Sequence, residues 1–325
     1  MARAAIPLFV IANDDQSEAD ARELLGNTLM AEGDLAGALQ QYQACKDIML
    51  RLTRLDPDNT DWQRDLSISH DYVGSVLQAK GKLAEALLEF QAFKDILLRL
   101  TRKDLNNTGW QRDLSVSHNH VGRVLQAQGK LAEALLEYQA YKDIMLRLTQ
   151  QDPDNADWQR ELSVSHNNVG NVLQAQGKLA EALLEYQSYK DILLRLTQQD
   201  PDNADWQREL SVSHNNVGNV LQAQGKSVDA LLEFQASKDI RLRLTQHDPD
   251  NTVWQRDLSI THRWLATIFE IQRQLAEALI EREADLAIAE RLAQLDQSNA
   301  EWQQDLAASR KALEALKQRM RQVKN

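Results

Sequence analysis

The sequence predicts an all-α solenoid of six antiparallel helical hairpins closed by one C-terminal helix. Three observations carry that prediction. Trp62, Trp110, Trp158, Trp206, Trp254 and Trp302 recur every 48 residues. Gly26, Gly74, Gly122, Gly170 and Gly218 keep the same step, as do Gly33, Gly81, Gly129, Gly177 and Gly225. The 27 residues that begin at Asp152 are repeated letter for letter from Asp200. Self-similarity at a fixed period marks arrays in which each unit buries its apolar face only against its neighbours. With 12 Gly and 5 Pro in 325 residues, the chain is dominated by good helix formers.

The elements follow in order. Residues 1–14 open with the apolar MARAAIPLFVIAN. We read them as a flap over the first helix rather than a short signal peptide, because Pro7 interrupts the run and only one positive charge precedes it. Residues 15–300 hold the six repeats. Within one repeat, Trp158, Leu162, Val169, Val172 and Leu173 share a stripe on a first helix at 3.6-residue spacing. Leu179, Ala182, Leu183, Tyr186, Tyr189, Ile192 and Leu196 do the same on a second. Gly177 between them is placed to take the left-handed conformation that ends a helix. In the linker DPDN, Pro153 disfavours helix at Asp152, Asn155 is a good N-cap, and Asp157 puts negative charge in the first turn. Each arm is about 20 residues, or roughly 30 Å. The ends depart from the middle, as capping units do: Asp14 stands at the Trp register, and Ala266 and Arg273 replace both glycines of the sixth repeat. Residues 301–325 form the closing helix.

One repeat resembles a known family. His118, Val121, Gly122 and Leu125, then Ala134 and Tyr138, then Pro153, are similar to the tetratricopeptide repeat pattern W-x2-L-G-x2-Y…A-x3-F…P. His replaces the usual Trp, Val the Leu, and Leu the Tyr. Two insertions of about seven residues, nearly two turns each, lengthen the arms with little rotation of their stripes. The resemblance is to the long-arm repeats of kinesin light chains and to bacterial arrays joined to caspase-like, TIR or nucleotide-binding domains. It implies a right-handed solenoid that binds a protein or peptide in a concave groove without catalysis. The alternative it implies is a regulatory or sensor arm for such an effector on another chain.

Charge and composition narrow the partners. A net charge of −11 argues against nucleic acid, which needs a basic face. No apolar run reaches the length of a membrane span. A single cysteine, Cys45, forms no internal disulfide, which favours a reducing, cytoplasmic setting. Residues 310–325 carry six cations against Glu314 alone, while Asp14, Asp15, Glu18, Asp20 and Glu23 cluster near the start, which makes head-to-tail self-association a candidate.

Catalytic and metal readings do not survive the spacing. His70, His118, His166, His214 and His262 share one register, yet equivalent helices lie too far apart for one zinc ion. They read as packing at the slot where the family keeps Trp. Ser163 lies three residues before His166, but no carboxylate stands three or four residues away to orient the ring. DPDN lacks the glycine and distant glutamate of a calcium loop. Cys45 and the Trp ladder read as core. We therefore expect no cofactor, no metal and no enzyme activity.

The resemblance implies one binding surface. In the family, first helices line the groove through the positions just after the His register. Here these are Asp71 and Tyr72; Asn119, His120 and Arg123; Asn167, Asn168 and Asn171; Asn215, Asn216 and Asn219; Arg263 and Trp264. Ser75 and Thr267 complete the row, with Gln78 and its equivalents one turn on. Asn supplies donors and an acceptor to an extended backbone. Any selectivity resides where copies diverge, at Asp71, Tyr72, His120, Arg123, Arg263 and Trp264.

Overall fold

The computed structural model describes residues 14–324, together with Ile6. Apart from Ile6 and Asp14, the expected flap lies outside the described residues. Thirteen α-helices account for almost all of the described chain: α1 (Asp15–Ala31), α2 (Leu35–Leu55), α3 (Thr60–Ala79), α4 (Leu83–Lys103), α5 (Thr108–Ala127), α6 (Leu131–Gln151), α7 (Ala156–Ala175), α8 (Leu179–Gln199), α9 (Ala204–Ala223), α10 (Ser227–His247), α11 (Thr252–Ile271), α12 (Leu275–Leu295) and α13 (Ala300–Lys324). No strand occurs among the described residues. This is the all-α hairpin array read from the sequence. It divides into two compact units, Met1–Val172 and Leu173–Asn325, and within each unit consecutive helices pack on one another.

Local chemistry sets the helix ends. Asn59, Asn107, Asn155, Asn203 and Asn251 each cap a first helix, the side-chain oxygen accepting from the backbone N–H of the Trp three residues on, at 3.0–3.1 Å. Gly33, Gly81, Gly129, Gly177 and Gly225 turn each hairpin with φ between 73° and 80°. Arg273 takes the same turn in the last hairpin at φ 60°, a conformation that costs an L-residue roughly 1–2 kcal/mol.

The cores are built from two facing stripes. Val121, Val124 and Leu125 on α5 meet Ala134, Tyr138, Tyr141, Met145 and Leu148 on α6, all nearly inaccessible. The other set of glycines lies under an aromatic ring. A Cβ on Gly122 would stand 2.8 Å from Tyr138 Cε1, and one on Gly74 2.7 Å from Phe90 Cε1. The last hairpin confirms the coupling, because its Ala266 faces no aromatic. Arg282 stands in that register and bonds Glu270 and Thr267 instead.

One core assignment needs correction. The Trp ladder is half-buried at every step, each Trp sitting in the first turn of its helix. The core also contains charge that periodicity did not reveal. Arg241, 4% exposed, occupies the register of Met49, Leu97, Met145 and Leu193. Asp285, fully buried, occupies that of Cys45, Phe93, Tyr141 and Tyr189.

Candidate functional site

Two polar systems run along the hairpins, and they decide which side chains are left for a partner. The first joins second helices to the His register. Lys46 Nζ on α2 lies 2.7 Å from Glu89 Oε1 on α4, whose other oxygen lies 2.6 Å from His70 Nδ1 on α3. The arrangement returns as Lys94–Glu137–His118, Lys190–Glu233–His214 and Lys238–Glu281–His262. Burial pushes each of these glutamates up, but the hydrogen bonds and charges of the His and Lys outweigh it and leave the carboxyl below its ordinary value. His70, His118, His214 and His262 do have a carboxylate partner, which reading along their own helix could not reveal. It comes from the hairpin's other arm, 19 residues on. Ser163 and Ser165 turn back to the carbonyls of Arg160 and Leu162, so no serine–histidine pair forms.

The second system joins first helices. Arg64 Nε lies 2.7 Å from Asp113 Oδ2, and the same pair recurs as Arg208–Asp257 and Arg256–Asp305. Two turns further along come most of the residues expected to face a ligand. Tyr72 donates to Glu23 Oε1 at 3.0 Å and stacks on Tyr42 with ring centres 4.8 Å apart. His120 Nδ1 lies 2.6 Å from Asp71 Oδ1, its ring against Phe90. Asn168 donates to Asn119 Oδ1 at 2.9 Å. Trp264 lies over Phe234 at 5.5 Å. Each of these contacts links one hairpin to the next. Asn167, Asn171 and Asn216 are half-buried and likewise engaged.

Two expected site residues are drawn inward, Asn215 buried and Arg263 half-buried. Asn215 is only 1% exposed. With its amide oriented to satisfy both groups, its oxygen accepts from Arg241 at 3.0 Å and its nitrogen donates to Ser237 Oγ at 3.0 Å. That placement corrects its assignment to a ligand-facing surface, because Arg241 in a core slot draws the amide inward. Arg263 lies 3.1 Å from Asp285 Oδ1 and 3.0 Å from Asp305 Oδ1, so a buried carboxylate holds its guanidinium.

What remains accessible is the row one turn on. Ser75, Gln78, Ala79 and Arg123 line a hollow of about 260 Å³ in the first unit. Arg123 is exposed and donates to Gln78 Oε1 at 3.1 Å. Asn219 and Thr267 hold the matching positions in the second unit, half-buried.

The terminal charges are engaged as well. Arg310 pairs with Glu290, Lys317 with Glu283, and Arg319 with Glu270. At the other end Asp14 caps α1 through Ser17 and Asp15 meets Arg51. Cys45 is buried, and that burial, reinforced by nearby acids, pushes its thiol up to about 12. It is therefore a poor nucleophile near neutral pH. Among the described residues no three His, Cys, Asp or Glu converge as metal ligands, and no helix is long and apolar enough to cross a membrane.

Known proteins place this geometry within a class. No family model and no curated protein matches the sequence. Solved structures do match. BtubC (BKLC) from P. vanneervenii superposes with a TM-score of 0.61 at 15% identity, covering 81% of this chain and 92% of that one. The apo form of RapI gives 0.55 at 11% identity, covering 92% of this chain and 99% of that one. Identity this low shows the fold alone. That fold is a helical-repeat array of the tetratricopeptide type.

Proposed function

We propose that the chain is a non-enzymatic scaffold that binds a protein or peptide along the first-helix face of its hairpins. One observation supports this most. Most side chains expected to meet a ligand hold neighbouring hairpins together, yet within each unit they leave polar side chains in a row beside them. In the first unit that row contains an open hollow with an exposed guanidinium at Arg123. A face whose backbone is already fixed by inter-hairpin pairs binds with little ordering cost on its own side. Gln78 and Arg123 then offer donors and an acceptor to the partner's backbone and to an acidic side chain.

The test is a quantitative affinity capture from the native cell extract. It compares the wild-type chain with a Ser75→Ala, Gln78→Ala, Arg123→Ala variant whose helical circular dichroism is unchanged. The expected result is a defined set of proteins retained by the wild type and depleted on the variant. Equal recovery on both would move the binding surface elsewhere.

A further inference from the structure

The linkers between hairpins differ at one place, and a hollow lies beside it. Four linkers read Asp-Pro-Asp-Asn, at 56–59, 152–155, 200–203 and 248–251, whereas residues 104–107 read Asp-Leu-Asn-Asn. In two of these linkers the third residue gives a carboxylate to a cation of the next second helix. Lys103 Nζ lies 3.6 Å from Asp58, and Arg291 Nη2 lies 3.3 Å from Asp250. Asn106 removes that carboxylate. Arg147, at the register of Arg291, is exposed and makes no ion pair among the described residues.

The second residue changes the surface in the other direction. Leu105 replaces proline and stands 72% exposed. With Leu114 and Ile144 it walls a hollow of about 340 Å³, which Gln111 and Arg147 also line. Gln111 donates its amide N–H to the Leu105 carbonyl, and its Oε1 is buried without a hydrogen-bond partner. A buried acceptor left unpaired is costly. A ligand N–H would relieve it.

We propose that this hollow, distinct from the first-helix face, is a docking slot for an extended segment of a partner protein that carries an aliphatic side chain followed by Asp or Glu. The aliphatic group fills the space between Leu105, Leu114 and Ile144. The carboxylate meets the Arg147 guanidinium, and a backbone N–H reaches Gln111 Oε1. The linker at 104–107 opposes such a ligand less than the other four do, because Asn106 is neutral where they carry an aspartate that would repel it. The apolar walls argue against a bare inorganic anion.

The experiment titrates the full chain with a fluorescein-labelled acetyl-Gly-Ser-Leu-Glu-Gly-Ser-amide probe and with its Gln-for-Glu counterpart, followed by anisotropy and by leucine-methyl NMR. The expected result is saturable binding of the Glu probe, about tenfold weaker with the Gln probe, with methyl shifts at Leu105 and Leu114. Arg147→Gln should weaken the Glu probe about tenfold and leave the Gln probe unchanged. The double change Leu105→Pro with Asn106→Asp installs the motif that four other linkers already carry, so folding is kept and binding should be lost. No saturation at millimolar probe overturns the proposal. So does equal affinity for the two probes, indifference to both variants, or a shift pattern confined to the row around Arg123.

Discussion

The clearest physical pairing in this molecule is one glycine against one ring. Gly122 gives the Tyr138 ring room on α5, and the Tyr138 hydroxyl then reaches Gln126 Oε1 at 2.9 Å. Gly122→Ala should destabilise the chain by about 1–3 kcal/mol through overpacking, read as a lowered urea midpoint. The same change in a Tyr138→Ala background should lose most of that effect, since the clashing ring is gone. Arg273 makes the opposite prediction. Arg273→Gly should raise the midpoint by roughly 1 kcal/mol, because only its left-handed backbone is relieved. Both glycine ladders were legible in the sequence as spacing, and the one at hairpin turns also as mechanism. The role of the other became visible only when Ala266 and Arg282 were seen to change together. Arg241 and Asp285 were not legible, because the 3.6-residue pattern carries through a slot whether or not one copy fills it with charge.

At the scale of the hairpin, the seam is ionic along one edge and aromatic along another. The Lys–Glu–His chains explain why the His register is kept where an aromatic of the family pattern would stand. The ring fills space and also orients a carboxylate shared with the preceding hairpin. Their pH dependence follows from sign. Glu89, Glu137, Glu233 and Glu281 titrate in the folded chain below their ordinary value of 4.5. Their ionised form therefore stabilises the fold, fully above that value and progressively less as the pH falls below it. Asp65 works the other way. Burial pushes its carboxyl above the ordinary value, aided by Asp20, and Gln16 offers it a neutral partner where the next interface has Arg64. Acid relieves that one group. With Asp14, Asp296 and Asp305 also held below their ordinary value, seven carboxylates stand against one, and the urea midpoint should hold between about pH 7 and 5 and then fall steeply. A midpoint that rose on acidification would contradict the ionic seam. None of this was visible along a single helix, since every partner lies on a different arm.

Across the whole chain, positions that all repeats share and positions that vary have separate jobs. The shared ones gave the fold from the sequence alone: Asn caps, turn glycines and two apolar stripes per repeat. The varying ones read as candidates for selectivity, yet the structure pairs several of them with each other. Glu23 meets Tyr72, Asp71 meets His120, and Asn119 meets Asn168. Divergence at one step of the ladder is answered at the next, so variation there does not by itself indicate a ligand. One sequence cannot separate the two causes, because contact across 49 residues leaves no local signature.

These side chains therefore form a seam between hairpins. A double-mutant cycle on Asp71 and His120, followed by urea denaturation near neutral pH, tests that most directly. Asp71→Asn and His120→Asn should each lower the midpoint. Together they recreate the Asn119–Asn168 pair and should recover at least half of the combined loss, a coupling of about 0.5–1 kcal/mol. Strictly additive losses, or no loss from either single change, would contradict it.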